Sequence, residues 1–293
     1  MNFRQLLVNR TMVKTQQSYT PAAELTADEK ELKLRGLMRE MKSVLVAYSG
    51  GVDSAYLALI ASAELGAEAL CVLGVSPSVA QVQRDEAAEI ARRFNLNFQI
   101  IQTDELANPD YQANPTNRCY FCKTELYGKL SAFAEKQGIE FILDGTNADD
   151  VGDYRPGRQA AEEKAVRSPL VEAGLTKNEI RILSKKHNLP TWDKPASPCL
   201  SSRIAYGVPV TIERLSKVER GEAVLRKLGF REFRVRVHEN LARLEIAPAE
   251  LVKALNIETA EHLANEFKKI GFRYITLDLE GFRSGAMNEV LRK

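Results

Sequence analysis

Short apolar segments alternate with helix-like segments through the first half of this 293-residue chain, and the alternation restricts its fold more than any other feature. The apolar segments, at 43–48, 69–75, 97–103 and 140–144, have the length of strands. The segments at 22–41, 52–63, 79–94 and 122–137 have the length and character of helices. Strands that alternate with helices pair in parallel, because each crossover needs a helix-sized connection. The sequence therefore predicts an α/β fold with a doubly wound parallel sheet.

The pattern changes after residue 192. The stretch from Asp193 to Val210 contains three prolines and one glycine, which indicates an ordered connector and not a helix. Beyond it, helices are predicted at 211–228 and 259–270, and strands at 233–237, 241–246 and 272–278. We therefore expect a flexible tail over 1–21, a nucleotide-binding α/β domain over 22–195 and a cysteine-bearing connector over 196–210. A smaller α+β domain over 211–293 would bind substrate or assemble subunits.

Composition narrows the class of protein. Hydrophobic residues make up 44% of the chain and charged residues 27%, as in folded globular proteins, and a net charge of +2 gives little field for nucleic acid. No apolar run approaches the roughly 18 residues of a membrane span, and the first ten residues are too polar for a secretion signal. Four cysteines cannot form a disulfide scaffold in a chain of this length. We expect a cytoplasmic protein without a membrane or nucleic-acid partner.

The loop from Ser49 to Ser54, Ser-Gly-Gly-Val-Asp-Ser, lies between the first predicted strand and a helix, at the edge where parallel sheets bind ligands. Gly50 and Gly51 would let the backbone approach a phosphate chain, with helix N–H groups and two serine hydroxyls as donors. The loop is neither a Walker loop nor a dinucleotide fingerprint. It resembles the PP-loop of the ATP pyrophosphatase superfamily, which implies that it binds ATP. Asp53 would then face phosphate through a Mg²⁺ ion, or would simply cap the helix.

Asp144 and Gly145 end a later strand of the same predicted sheet, so they should open onto the same edge. The Asp144 carboxylate would order the nucleotide or an activated intermediate. The alternative is a simple turn.

Cys119 and Cys122 form a Cys-x-x-Cys pair, and Cys199 is a third cysteine in the connector, whereas Cys71 lies in an apolar strand as a core residue. Three interpretations compete for the three cysteines. A structural zinc ion would need a fourth ligand, and no histidine is close in sequence. The second interpretation is a pair of redox-active or persulfide-forming cysteines. The third is a [4Fe–4S] cluster held by three thiolates, which leaves one iron open to an exogenous sulfide.

The strands at 233–237 and 241–246 alternate with period two. One face of this hairpin has valines and other apolar residues, and the opposite face has Arg234, Arg236, Arg243 and Glu245. Three guanidiniums and a carboxylate suit a phosphate or carboxylate ligand, although a solvated face with cross-strand ion pairs has the same pattern. Two further arginines, Arg203 in the connector and Arg283 between glycines after the last strand, are open to the same two interpretations.

Taken together, these sequences resemble the LarE family, the ATP-dependent sulfur transferases of nickel-pincer nucleotide cofactor synthesis, from about residue 25 to the end. The matching segments are Ser49 to Ser54, Asp144-Gly145, Asp153-Tyr154-Arg155-Pro156-Gly157, Ser201-Ser202-Arg203, Tyr206-Gly207, Val235-Arg236 through Arg243-Leu244-Glu245, Gly271-Phe272-Arg273-Tyr274, Thr276-Leu277-Asp278-Leu279 and Gly281 to Gly285.

The resemblance implies a specific reaction. Such enzymes adenylate the carboxylates of pyridinium-3,5-biscarboxylic acid mononucleotide with release of pyrophosphate, and then replace an oxygen by sulfur at each. It implies ATP, Mg²⁺ and a [4Fe–4S] cluster as cofactors, and sulfide or another sulfur donor as a partner; the enzyme would be a homo-oligomer. By matching position, the substrate-binding residues would be Arg203, Arg234, Arg283, Glu222 and Glu245.

The cysteines depart from some members of that family. Those members carry one connector cysteine that gives up its own sulfur, at the place that Pro198 occupies here. Cys119, Cys122 and Cys199 instead resemble the cluster-bearing variant, in which all three would be catalytic. The alternatives are a tRNA thiolase with a three-cysteine cluster and an ATP-dependent amide-forming synthetase.

Overall fold

The computed structural model describes residues 25–152 and 156–283. The predicted tail over 1–21, the matched residues Asp153 to Arg155, and Ser284 and Gly285 lie outside the described residues. Within the described ranges, no helix is both long and apolar enough to cross a membrane.

The first part of the chain forms a four-stranded sheet covered by helices. Its elements are α1 (Ala27–Met41), β1 (Val44–Ala47), α2 (Val52–Leu65), β2 (Ala69–Val75), α3 (Gln81–Arg93), β3 (Asn97–Gln102), α4 (Pro109–Gln112), α5 (Arg118–Gln137), β4 (Phe141–Leu143), α6 (Pro156–Glu163), α7 (Pro169–Ala173) and α8 (Lys177–Lys186). The strand order is β3-β2-β1-β4, and every pair is parallel. The predicted parallel sheet is confirmed.

Both faces of this sheet are buried, as a doubly wound fold requires. Val44, Val46 and Cys71 point to one face and pack with α1, α2, α3 and α8. Leu45 and Val72 point to the other face and pack with α5 and α6. Cys71 is fully buried, so its predicted role as a core residue is confirmed.

Side-chain caps fix where two of these helices begin. Thr176 accepts a hydrogen bond from the Glu179 N–H, and the Glu179 carboxylate accepts from the Thr176 N–H and hydroxyl. This reciprocal pattern is a capping box at the start of α8, and Thr26 and Glu29 repeat it at α1. The cap makes Lys177 the first residue of α8.

The second part follows a connector that contains a short 3₁₀ turn, Leu200–Arg203. Its elements are α9 (Ile212–Lys227), β5 (Phe233–His238), β6 (Leu241–Ile246), α10 (Leu251–Ala254), α11 (Ile257–Ile270) and β7 (Tyr274–Leu277). In the sheet order β5-β6-β7, the first pair is antiparallel and the second parallel. The predicted α+β architecture is therefore confirmed.

The apolar core of this second part reaches back into the first. Val235 and Leu244 of the hairpin and Phe267 of α11 belong to one buried cluster that also contains Tyr111 and Leu200. The connector thus lies between two groups of packed residues, and its position relative to α4 and α5 is fixed. The domain boundaries at 195, 196 and 210 stay predictions.

Candidate active site

The glycine pair after β1 is shaped by close packing against α3. Gly50 has φ +69°, a backbone conformation that residues with a side chain rarely adopt. A Cβ at this position would also lie 2.6 Å from the Ala87 Cβ. Gly51 caps α2 with an extended backbone and no side-chain bond. The first turn of α2 therefore presents its N–H groups at the sheet edge, where an anion would bind.

Two serine hydroxyls brace this loop. The Ser49 and Ser54 oxygens lie 2.9 Å apart, and Ser54 Oγ accepts from the Ser49 N–H at 3.2 Å and lies 3.3 Å from the Gly51 carbonyl oxygen, to which it can donate. Ser54 is buried, whereas Ser49 is exposed. These contacts thus hold the loop in shape.

Asp53 has two partners that the sequence did not reveal. Lys177, at the start of α8, donates to Asp53 Oδ2 at 2.6 Å, and Asn147 donates to Oδ1 at 3.3 Å. Their contact depends on three segments that are distant in sequence. The capping box at Thr176 was the available signal, because it places Lys177 at the N-terminus of a helix of the same domain.

Asp144 is a saturated hydrogen-bond acceptor at the end of β4. It accepts from the hydroxyls of Ser168 at 2.7 Å, Thr146 at 2.9 Å and Tyr127 at 3.2 Å, and from the Thr146 N–H at 3.1 Å. The next residue, Gly145, packs on the phosphate loop, since a Cβ there would lie 3.0 Å from the Ser54 nitrogen. Asp144 therefore shapes the edge of the cleft.

The three cysteines lie within electrostatic reach of one another. Cys119 and Cys122 are near the start of α5, which begins at Arg118, four residues before the predicted start, and Cys199 precedes the 3₁₀ turn of the connector. Burial, and then the charge of Cys199, raise the pKa of Cys122. Partial desolvation and Cys199 also raise the pKa of Cys119, whose side chain stays exposed.

A polar clamp holds the connector against α4 and α5. The buried Asn114 amide donates to the carbonyls of Ala205 at 2.7 Å, Val208 at 2.8 Å and Ile204 at 3.3 Å. The Arg118 guanidinium donates to Asn114 Oδ1 at 2.6 Å and to a connector carbonyl, that of Ser201, at 2.8 Å. Sequence reasoning missed both residues, because neither forms a local motif. They bring the Cys199 segment to the Cys119 helix.

The predicted substrate residues Arg203 and Glu222 form a buried ion pair. Arg203 Nε donates to Glu222 Oε1 at 2.7 Å, and its Nη1 donates to the carbonyls of Pro198 at 2.6 Å and Cys199 at 3.1 Å. Only 2% of Arg203 is exposed. The pair therefore holds the backbone on both sides of the Cys199 amide.

The polar face of the hairpin is covered by the connector at two of its four residues, Arg236 and Glu245. Arg236 forms a two-bond pair with Glu245, at 2.8 and 2.9 Å, and also donates to the carbonyl of Ser202 in the connector. Arg236 is 6% exposed and Glu245 1%. The solvated-face interpretation is wrong for these two residues because the connector packs over them. Arg243 completes the cluster with a bond to Glu245 at 3.0 Å.

Arg234 is the guanidinium of this face that lacks a carboxylate. It donates to the carbonyls of Phe233 and Ala196 and stacks 4.7 Å from the Phe282 ring centroid, but it forms no salt bridge with any described residue. Burial and then the positive charge of Arg203 lower its pKa to about 10, so it stays charged at neutral pH. The predicted Arg283 pairs with Glu280 at 2.7 Å. Arg234 is therefore the stronger candidate for an anionic ligand.

Comparison with known proteins shows which family the chain belongs to. No protein-family model matches the sequence. An uncharacterized protein of Synechocystis is 46% identical over 260 residues, which cover 89% of this chain and 97% of that protein. The pyridinium-3,5-bisthiocarboxylic acid mononucleotide synthase of Lactiplantibacillus plantarum is 35% identical over 269 residues, 92% of this chain and 97% of that protein. This chain belongs to the LarE family.

The match also extends beyond LarE enzymes. A tRNA-specific 2-thiouridylase of Acidithiobacillus ferrooxidans is 27% identical over 187 residues, 53% of this chain and 53% of that protein. This partial likeness and the parallel sheet agree with a PP-loop fold. Because the chain belongs to the LarE family, it is an enzyme. The resemblance to LarE enzymes that the sequence motifs indicated is confirmed.

The donor atoms present decide which cofactors this LarE-family site fits. Within residues 25–152 and 156–283, no three His, Cys, Asp or Glu side chains form a group that would hold one metal ion. A cubane cluster differs, because each thiolate binds a different iron and the three ligands stand farther apart than those of one ion. Cys119, Cys122 and Cys199 interact electrostatically with one another, and they are the thiolates that would hold such a cluster. Asp53 is a single carboxylate, which fits a Mg²⁺ ion bound mainly by nucleotide phosphates.

Proposed function

We propose that this protein is an ATP-dependent sulfur transferase that converts the carboxylates of pyridinium-3,5-biscarboxylic acid mononucleotide to thiocarboxylates. ATP first transfers AMP to a carboxylate and releases pyrophosphate. Carboxylate oxygen is a poor leaving group and AMP is a good one, so sulfur can then replace it. The protein contributes positioning and charge stabilisation.

One observation supports this function best: a chain of contacts connects the phosphate loop to the helix that carries two of the cysteines. Tyr127, on the same helix as Cys119 and Cys122, donates to Asp144, and Gly145 packs on the loop at Ser54. An acyl-adenylate bound at the loop would therefore lie next to the sulfur-bearing side chains. An amide-forming synthetase would have no use for the three cysteines.

In the same proposal, Ser49 to Ser54 and Asp53 bind the phosphates of ATP with Mg²⁺. Cys119, Cys122 and Cys199 would hold a [4Fe–4S] cluster, which would supply the sulfide to be transferred. The clamp at Asn114 and Arg118 would hold the Cys199 segment at the required distance from α5.

The hairpin and connector would bind the mononucleotide. Arg234 provides a cation without a carboxylate partner among the described residues, so an incoming phosphate or carboxylate would not have to displace one. Arg203 and Glu222 would shape the site from its rim, as would Glu245. Arg283 would reach the substrate from the loop after β7. A cytoplasmic location and a homo-oligomeric assembly remain predictions.

The test uses protein purified without oxygen and supplied with Mg²⁺, ATP, the dicarboxylate mononucleotide and sulfide. The expected result is substrate-dependent release of pyrophosphate and a product in which sulfur replaces oxygen. Cys199→Ala should keep pyrophosphate release and lose sulfur transfer, whereas the matched control Cys71→Ala, in the core, should keep both. If Cys199→Ala keeps both activities, the cysteines have no catalytic role.

The competing function predicts a different dependence. A tRNA thiolase would release pyrophosphate with tRNA and not with the mononucleotide, and its activity would fall steeply with salt because RNA binding releases counterions. Such a result would overturn the proposed function.

A further inference from the structure

Lys123 occupies a central position between the cysteines and the phosphate loop. It follows Cys122 directly and lies about one helical turn after Cys119 on α5. The backbone at the start of α6 packs against its stem, since a Cβ on Gly157 would lie 2.9 Å from the Lys123 Cγ. Its ammonium nitrogen lies 5.1 Å from the centroid of the Tyr127 ring. The side chain is thus directed along α5 toward Asp144.

The charges around this ammonium leave it without a paired carboxylate. Asp144 is near enough to interact with it, but the Asp144 oxygens already accept four hydrogen bonds from other groups. Among the described residues, Lys123 forms no salt bridge, whereas Lys129 on the same helix pairs with Glu125 at 3.1 Å. The Tyr127 hydroxyl is its one hydrogen-bonding neighbour among the described side chains, and a partly buried cation without a carboxylate partner can bind a further anion.

We propose that Lys123 is a catalytic residue that contacts the acyl-adenylate and stabilises the negative charge that develops when sulfur attacks it. This inference rests on the proposed function and extends it to a residue outside the phosphate loop and the three cysteines. The Tyr127 ring lies beside the lysine ammonium, and the Tyr127 hydroxyl donates to Asp144.

The step is redox-neutral. A sulfur lone pair of hydrosulfide forms a bond to the acyl carbon, and the C=O electrons move onto the carbonyl oxygen. When the C=O bond re-forms, the bond to the AMP oxygen breaks, AMP leaves with that electron pair, and the proton of hydrosulfide passes to water. Negative charge grows first on the carbonyl oxygen and then on the phosphate, and the Lys123 ammonium would lie beside both. Adenylation needs no such group at this position, because its charge develops at the phosphate loop.

The test compares Lys123→Met, Lys123→Arg and the control Lys129→Met in two assays, with sulfide as the sulfur donor. Substrate-dependent pyrophosphate release reports adenylation, and mass spectrometry of the product reports sulfur transfer. Lys123→Met should lose about 100-fold in sulfur transfer, as when one oxyanion-stabilising donor is removed, while pyrophosphate release stays near wild type. Lys123→Arg should recover part of the rate, and Lys129→Met should match wild type.

Two results would overturn the role of Lys123 and leave the proposed function standing. The first is a rate of sulfur transfer by Lys123→Met that equals that of Lys129→Met. The second is an equal loss in both assays, which would make Lys123 part of the ATP site. A wild-type enzyme that releases no pyrophosphate with the mononucleotide would overturn the proposed function and this inference together.

Discussion

Replacing Asn114 by alanine removes the centre of the clamp that holds the connector. The Asn114 amide donates to three connector carbonyls, of Ile204, Ala205 and Val208, and accepts from the Arg118 guanidinium at 2.6 Å. Asn114 is fully buried and has φ +55°. Alanine therefore loses the hydrogen bonds and also has to adopt a left-handed backbone conformation that asparagine tolerates better.

The expected cost follows from these contacts. The two shorter neutral bonds contribute about 1 kcal/mol each, and the bond to the charged Arg118 about 2 kcal/mol. The left-handed backbone adds about 1 kcal/mol. The free energy of unfolding should therefore fall by about 5 kcal/mol in Asn114→Ala.

Asn188 offers a matched control. It has φ +57° but is exposed, and no side-chain hydrogen bond is formed by it in the described structure. Asn188→Ala should lose only about 1 kcal/mol, so the difference of about 4 kcal/mol measures the clamp. Urea unfolding followed by far-ultraviolet circular dichroism measures both variants. Equal losses in the two would refute the reasoning, because the backbone alone would then explain the effect.

Three further changes test other parts of the structure. Gly50→Ala should abolish substrate-dependent pyrophosphate release, measured by a coupled phosphate assay, because the added Cβ would lie 2.6 Å from the Ala87 Cβ of α3. Retained release would show that the loop tolerates a side chain. Arg236→Met leaves the buried Glu245 with one partner fewer and should lower the free energy of unfolding by about 3 kcal/mol in urea, and a loss under about 1 kcal/mol would contradict the pairing. Burial raises the pKa of the Glu31 carboxyl. Its hydrogen bonds, of which the one with His187 has the largest effect, nevertheless hold that pKa below the ordinary 4.5. The unfolded state then binds the proton more tightly than the folded state. The difference in free energy of unfolding between wild type and Glu31→Gln should therefore be full above pH 4.5 and shrink as the pH falls. A difference that grows in acid would contradict the lowered pKa.

The sheet was predictable because its residues obey local rules. Val44 and Val46 are apolar and flanked by a Gly-rich turn, and the strand they form pairs in parallel on both sides as expected. The helix with the Cys-x-x-Cys pair begins earlier than predicted, at Arg118. The side chain of that residue is held by Asn114 and a connector carbonyl, a tertiary contact that no periodicity in the sequence signals.

The sequence placed the candidate-site residues on their loops and strands, but it did not predict how they pair. The alternation of the hairpin placed Arg236 and Glu245 on one face, yet it could not show that the connector covers that face. Likewise Asp53 was identified from its loop, whereas Lys177 was not, because their contact joins residues 124 positions apart. Sequence patterns report which face a side chain occupies, and long-range packing decides what covers it.

The central claim is that activation by ATP and delivery of sulfur occur at one site on this chain. The most direct measurement follows a single turnover with the dicarboxylate mononucleotide, Mg²⁺, ATP and isotopically labelled sulfide, and quantifies pyrophosphate, AMP and labelled product together. The account predicts one pyrophosphate and one AMP for each oxygen that labelled sulfur replaces. Pyrophosphate release without any sulfur-containing product, at full cofactor loading, would contradict it.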